Sequence, residues 1–216
     1  MTYPPLTVRV WGEFACFTRP EMKVERVSYP VITPSAARGV LEAIFWKPEF
    51  RWQIREIWVL KPIRFFSMVR NEVNDKASYK AARSWGAGDG YFADDPENRA
   101  QRHTLALRDV DYVIHADVIV REAVNEDPAK FRDQFRRRVA AGACAYTPYL
   151  GTRECTASFG PLRGDEKPID VSDDLGLMLL DIDYPSGDSG RGTPRFFEAR
   201  LEKGVLRTPK APSGGN

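Results

Sequence analysis

NEDPAKFRDQFRRRVAAG, residues 125–142, holds the start signal, the apolar stripe and the stop signal of one amphipathic helix. Asp127 is placed to cap the first turn, and Pro128 follows where a missing amide donor costs nothing. At about 100° per residue, Phe131, Phe135 and Val139 fall on one stripe that must lie against other apolar surface, and Gly142 ends the run. Lys130 and Arg137 fall on one flank of that stripe, Arg132 and Arg136 on the other. With Arg138 added, these cations face a single acid within the helix, Asp133.

On both sides of this helix the apolar period changes to two. TLALRDVDYVIHADVIV (104–120) reads as a strand, and Leu6, Val8, Val10 and Phe14 alternate with Thr7, Arg9, Trp11 and Glu13 in an earlier one. TPSAARGVLEAIFW (33–46) predicts a helix capped by Thr33 or Ser35, with Val40, Leu41, Ile44 and Phe45 at helical spacing and Lys47-Pro48 as its end. FRWQIREIWVLKPIRFFSMVRNE (50–72) predicts two strands, or one bent at Pro62. Residues 74–102 show no sustained period and are expected to form a long, mobile loop. YLGTRECTASFGPL (149–162) predicts a strand region broken at Gly151 and Gly160. Residues 176–208 predict a β-hairpin with a flexible tip at Ser186 to Thr193, and the tail 209–216 is expected to be disordered. The order is βαββαβ, an α+β class. It predicts a ferredoxin-like, RNA-recognition-like domain over residues 1–160 and a smaller C-terminal β-sheet subdomain over 161–208.

The chain of 216 residues is 43% hydrophobic, enough apolar material for a real core. Its 32 basic and 30 acidic side chains leave a net charge of +2, so no global field attracts polyanions and any nucleic-acid contact must be local. Three cysteines, Cys16, Cys144 and Cys155, form neither a disulfide framework nor a zinc-binding spacing, which predicts a reducing, cytoplasmic setting. The longest apolar run, LGLMLL, is too short to span a bilayer, and the first residues lack a leader pattern, so no membrane partner is expected. GAGDG (86–90) lacks the lysine and hydroxyl of a phosphate-binding loop. The two histidines, His103 and His115, lack metal-ligand spacing, and neither a metal nor a cofactor is expected.

The cationic helix runs directly into Tyr146, Tyr149 and Arg153, which puts phosphate donors and base-stacking surfaces within short reach. A solvated charged face is the plain alternative. Lys130 sits in the first turn, where the helix dipole disfavours a cation by about 0.3–1 kcal/mol. It is either a phosphate contact or a surface lysine steadied by Glu126 and Asp127. Tyr149 could supply a phenol. His103, where the expected loop enters a strand, could reach bound RNA, whereas His115 shares a strand face with Val113 and Ile119 and reads as packed.

VRVWGEFACFTRPEMKVERVSYPVITPSAARGVLEAIFWKP and the later AAGACAYTPYLGTREC carry a resemblance that extends over nearly the whole chain. The sequence resembles the CRISPR-associated (Cas) proteins of the fifth family, in the type I-C branch. The resemblance implies a metal-independent endoribonuclease that recognises the repeat hairpin of precursor CRISPR RNA and cuts near its base. It implies that the protein then stays with the crRNA in a Cascade-type surveillance complex beside other Cas subunits, with double-stranded DNA as a further partner. The implied catalytic set is a tyrosine before WKP and an adjacent lysine and histidine opening the second helix. Those positions are Phe45, Lys130 and Phe131 here, so only the lysine is present. Tyr149 and His103 are the candidates to replace the missing proton-transfer groups. Arg38, Lys47, Arg132, Arg136, Arg137 and Arg153 are expected to hold RNA. The alternative is a non-catalytic guide-RNA-binding or DNA-contacting subunit of the same complex.

Overall fold

The computed structural model describes residues 3–22, 24–74, 78–86, 90–183 and 192–209. A mostly antiparallel sheet dominates it. In chain order the elements are β1 (Leu6–Ala15), β2 (Arg26–Val27), α1 (Pro34–Ile44), β3 (Phe50–Val59), β4 (Phe65–Val73), α2 (Tyr79–Ser84) and β5 (Arg99–Val120). They continue with α3 (Pro128–Ala141), β6 (Ser158–Gly160), β7 (Asp173–Asp183), β8 (Thr193–Glu202) and β9 (Val205–Arg207).

The strand path is β6-β1-β5-β3-β9-β8-β7, with β2 and β4 also paired to β5. β5 is the organising element. Its second half runs antiparallel to β1, from Ala15↔Leu107 to Leu6↔Ala116, and to β3, from Val59↔Tyr112 to Phe50↔Val120. β1 buries Leu6, Val8 and Val10 while Thr7, Arg9 and Trp11 stay half-exposed, the alternation a sheet covered on one face requires.

Both long helices begin as their caps dictate. The Thr33 hydroxyl accepts from Ala36 N at 3.2 Å and Pro34 fills the first turn of α1, which buries Ala37, Val40, Leu41 and Ile44. The Asp127 carboxylate accepts from Ala129 N at 2.8 Å, and α3 stops at Gly142, whose φ of 64° is left-handed. Phe131, Phe135 and Val139 are 1%, 1% and 5% exposed. Burying each phenylalanine contributes roughly 1.5–3 kcal/mol.

Three expectations change. Among the described residues of 74–102 there is regular structure: β4 and β5 stay paired to Val73↔Arg99, Asn74 N bonds Asn98 O at 2.8 Å, and α2 is capped by Ser78. The start of β5 leaves no sequence period because Arg99 to His103 are exposed or half-exposed, so neither face there demands apolar side chains. The strand region expected at 149–162 shrinks to the three residues of β6. Ahead of β6 the chain wraps β1, with Cys16 N donating to Leu150 O at 3.0 Å. There Gly151 has a φ of 88°, and a Cβ on it would lie 2.0 Å from the Cys16 carbonyl oxygen. Finally, the β7–β8 hairpin is present, but β9 follows it and pairs with β3. The expected flexible tip falls largely on residues 184–191 and the expected tail on 210–216, both outside the described residues, as are 87–89 of GAGDG. No described helix is long and apolar enough to cross a membrane.

Candidate nucleic-acid interface

With its apolar stripe against the sheet, α3 turns Lys130, Asp133, Arg136 and Arg137 toward one open hollow. Lys130 Nζ lies 2.8 Å from Glu126 and Arg136 lies 2.9 Å from Asp133, with both cations more than half exposed. Such exposed pairs contribute only a few tenths of a kcal/mol, so a phosphate can take the place of either carboxylate. Arg137 is exposed and has no acidic partner among the described residues.

Arg132 does not belong to that face. It is 3% exposed, donates to the Pro4 carbonyl oxygen and lies 5.1 Å over the Tyr3 ring. Burial, with Arg136 alongside, lowers its pKa. The expectation that Arg132 holds RNA is corrected: its guanidinium ties α3 to the N-terminal segment. Arg138 is structural too, donating to Ile44 O at 2.9 Å and so closing the C-terminal end of α1, with its guanidinium 5.5 Å over Phe45.

Phe45 and Phe131 are 2% and 1% exposed, and Phe50 joins them, with ring centroids 5.4 Å from Phe45 and 5.1 Å from Phe131. The two positions where a tyrosine and a histidine were implied are therefore ends of one apolar stack, inaccessible to a substrate and unable to exchange protons.

The segment after α3 docks on the end of α1, because Ala145 N and Tyr146 N both donate to Ala43 O, at 2.8 and 3.4 Å. At that end Trp46, Tyr146 and Tyr149 are 53%, 54% and 38% exposed, and half-buried Lys47 follows Trp46 in the chain. Burial, then the Glu42 carboxylate, then Tyr149, push the Tyr146 phenol up, so it keeps its proton at neutral pH and can donate to a phosphate oxygen. Exposed rings with a lysine next to them in the chain, on the segment that follows a cationic helix, are the parts of a single-strand binding surface.

The other expected residues lie elsewhere. His103 is on β5 where that strand pairs with β4, opposite Val69, its backbone N–H donating to Glu25 at 2.5 Å. Arg153 is exposed on the loop whose Glu154 ion-pairs with Arg26 and Arg70, beside the β4–β5 arm. Arg38 faces the other way along α1, bonded to Asp181 at 2.8 Å. His115 packs 4.7 Å from Trp58, and burial lowers its pKa. Among the described residues, no three His, Cys, Asp or Glu side chains gather as a metal-ligating group.

The roles of Arg138 and Trp46 are additions the structure makes. A basic residue in the last turn of a helix is a local signal for the first. Nothing local marks the second, since its partners arrive through the docking on Ala43.

The family model for CRISPR-associated protein (Cas_Cas5), of the Cas5d type, matches residues 6–209. A Thermus thermophilus protein named "CRISPR pre-crRNA endoribonuclease Cas5d" is 44% identical over 219 residues, covering 94% of this chain and 91% of that protein. A Mannheimia succiniciproducens protein of the same name is also 44% identical, covering 94% of each. A crystal structure described as a CRISPR-associated protein superposes with a TM-score of 0.67 at 23% identity over 97% of this chain and 94% of that one. A chain of a CRISPR RNA-guided surveillance complex does so with a TM-score of 0.54 at 14% identity, covering 96% and 91%. At those identities the two structures speak for the fold. The model match over nearly all residues and the two 44% relatives settle the matter of descent: this chain is a member of the CRISPR-associated protein (Cas_Cas5) family.

Proposed function

We propose that this protein is an endoribonuclease that cuts precursor CRISPR RNA within the repeat hairpin and retains the crRNA as a subunit of a surveillance complex. The observation that carries this is the 44% identity, over 94% of the chain, to two proteins named as pre-crRNA endoribonucleases. The three free cysteines suit the cytoplasm, where such a complex would act. The strand order β6-β1-β5-β3, with α1 and α3 as crossovers, supports reading residues 1–160 as a ferredoxin-like unit, with 161–208 as a β extension of it.

The chemistry is attack of a ribose 2′-oxygen on the adjacent phosphorus. The new P–O bond closes a 2′,3′-cyclic phosphate, the bond to the 5′-oxygen breaks, the 2′-hydroxyl gives up its proton and the leaving oxygen gains one. Negative charge grows on the phosphoryl oxygens, and Lys130, able to leave Glu126, stabilises it. Arg136 and Arg137 hold flanking phosphates, and Trp46 and Tyr146 stack or hydrogen-bond the strand. We assign the proton exchange to the phenol of Tyr149, which is exposed near Tyr146.

The buried Phe45–Phe50–Phe131 stack favours a second reading, a guide-RNA or DNA-contacting subunit that binds without cutting. Purified protein incubated with its own repeat RNA in EDTA separates the two. One cut ending in a cyclic phosphate, lost when the reactive 2′-hydroxyl is replaced by hydrogen, supports the enzyme. Tight binding with intact RNA supports the scaffold.

A further inference from the structure

A second cluster of polar side chains lies beside α1, away from its aromatic end. β9 covers the edge of β3 only at Glu56, Ile57 and Trp58, so the edge from Arg51 to Ile54 borders a cavity of about 80 Å³ closed by α1, β7 and β8. Arg38, Arg51, Gln53, Asp181 and Arg195 line it. Arg38 is paired with Asp181 at 2.8 Å and with Glu42 at 3.7 Å, and Arg195 with Asp183 at 2.6 Å, while Arg51 has no acidic partner among the described residues. The cavity's donors are not all satisfied: Gln53 Nε2 is buried with no hydrogen-bond acceptor, and Arg38 Nε has only the Glu42 carboxylate at 3.7 Å, beyond hydrogen-bond length. Buried donors without acceptors are rare and mark a place where oxygens are to be supplied.

We infer that this cavity is a phosphate-binding site that takes one phosphodiester of the RNA strand, an assignment resting on the function proposed above. A phosphodiester carries one negative charge, which the unpaired Arg51 guanidinium can hold, and its oxygens suit Gln53 Nε2 and Arg38 Nε. At about 80 Å³ the cavity has room for a phosphate group. Arg38 and Phe45 are about 10 Å apart along α1 at 1.5 Å rise per residue, so a single strand leaving the aromatic end reaches the cavity within a few nucleotides. Arg38 thereby serves RNA at a place separate from the α3 face.

The test uses Arg51→Gln and, independently, Gln53→Leu in the full chain, with two probes. Repeat RNA is titrated across a salt series, and inorganic phosphate is titrated into RNA-free protein by calorimetry. RNA as the source predicts that Arg51→Gln weakens RNA binding several-fold and flattens the log–log salt plot by about 0.7, one phosphate's worth on a single strand. It predicts that Gln53→Leu weakens binding with no change in slope. Free phosphate as the source predicts that phosphate binds wild type and not Arg51→Gln, with RNA affinity unchanged. Unchanged RNA affinity and slope in both variants, with no phosphate binding to wild type, overturns the site. Wild type that binds no RNA at all sinks the proposed function instead, and the phosphate arm still decides the cavity.

Discussion

Replacing Arg132 by alanine separates structural cations from RNA-binding ones more sharply than any other change to α3. The side chain is 3% exposed, donates to the Pro4 carbonyl oxygen and lies over the Tyr3 ring. A hydrogen bond from a charged donor contributes about 1.5–3 kcal/mol, and the guanidinium–ring contact about 0.5–1 kcal/mol. Relief of the buried charge offsets part of this, which leaves a loss of roughly 2–3 kcal/mol. For a chain of this size each kcal/mol moves the melting temperature by about 2–4 °C, so Arg132→Ala is expected to melt roughly 5–10 °C lower. Arg132→Met keeps the aliphatic stem and recovers a part of that. Differential scanning calorimetry measures both. Filter binding of repeat RNA well below the transition should show an affinity within about threefold of wild type and an unchanged salt slope. A variant that melts like wild type while its salt plot flattens would refute the reasoning, since Arg132 would then face RNA.

The remaining predictions concern other parts of the account. Arg136→Ala and Arg137→Ala should each flatten the log–log salt plot for RNA by about 0.7, and two unchanged slopes would make this face merely solvated. Gly151→Ala forces a Cβ to 2.0 Å from the Cys16 carbonyl oxygen at a φ of 88°, so the loop before β6 should lift off β1 and become cleavable in limited proteolysis; resistance equal to wild type would contradict the packing. His115 is held below its ordinary pKa of 6.5 by burial, so its contribution to stability is complete above that value and is lost as pH falls toward the lower folded value. Between about pH 7 and pH 5, wild type should therefore lose more melting temperature than His115→Phe, and equal losses would mean that the ring titrates freely.

Local physics wrote α3 and α1 plainly into the chain. Asp127-Pro128, the Phe131–Phe135–Val139 stripe and Gly142 each do what their types and spacing require, and Thr33 caps α1. The fate of Arg132 was not legible, because helical spacing places it on a flank without saying what lies beside that flank. Its acceptor is Pro4, 128 residues away in sequence. The start of β5, Arg99 to His103, stayed hidden because a strand stretch exposed or half-exposed on both faces carries no apolar alternation. At the site, the cations and tyrosines were visible as a group. That His103 lies opposite Val69 of β4, and that Trp46 joins Tyr146 through bonds to Ala43 O, depend on tertiary contacts no local pattern encodes.

Single-turnover cleavage of the repeat RNA by Lys130→Ala, at protein concentrations that saturate binding, bears most directly on the central claim. With Lys130 beside the reacting phosphate, the rate should fall by about 10²–10³-fold, the usual loss of one preorganised charge donor, while the dissociation constant changes less than about threefold. Cleavage at the wild-type rate by a variant that binds normally would contradict the claim and move the reaction away from α3.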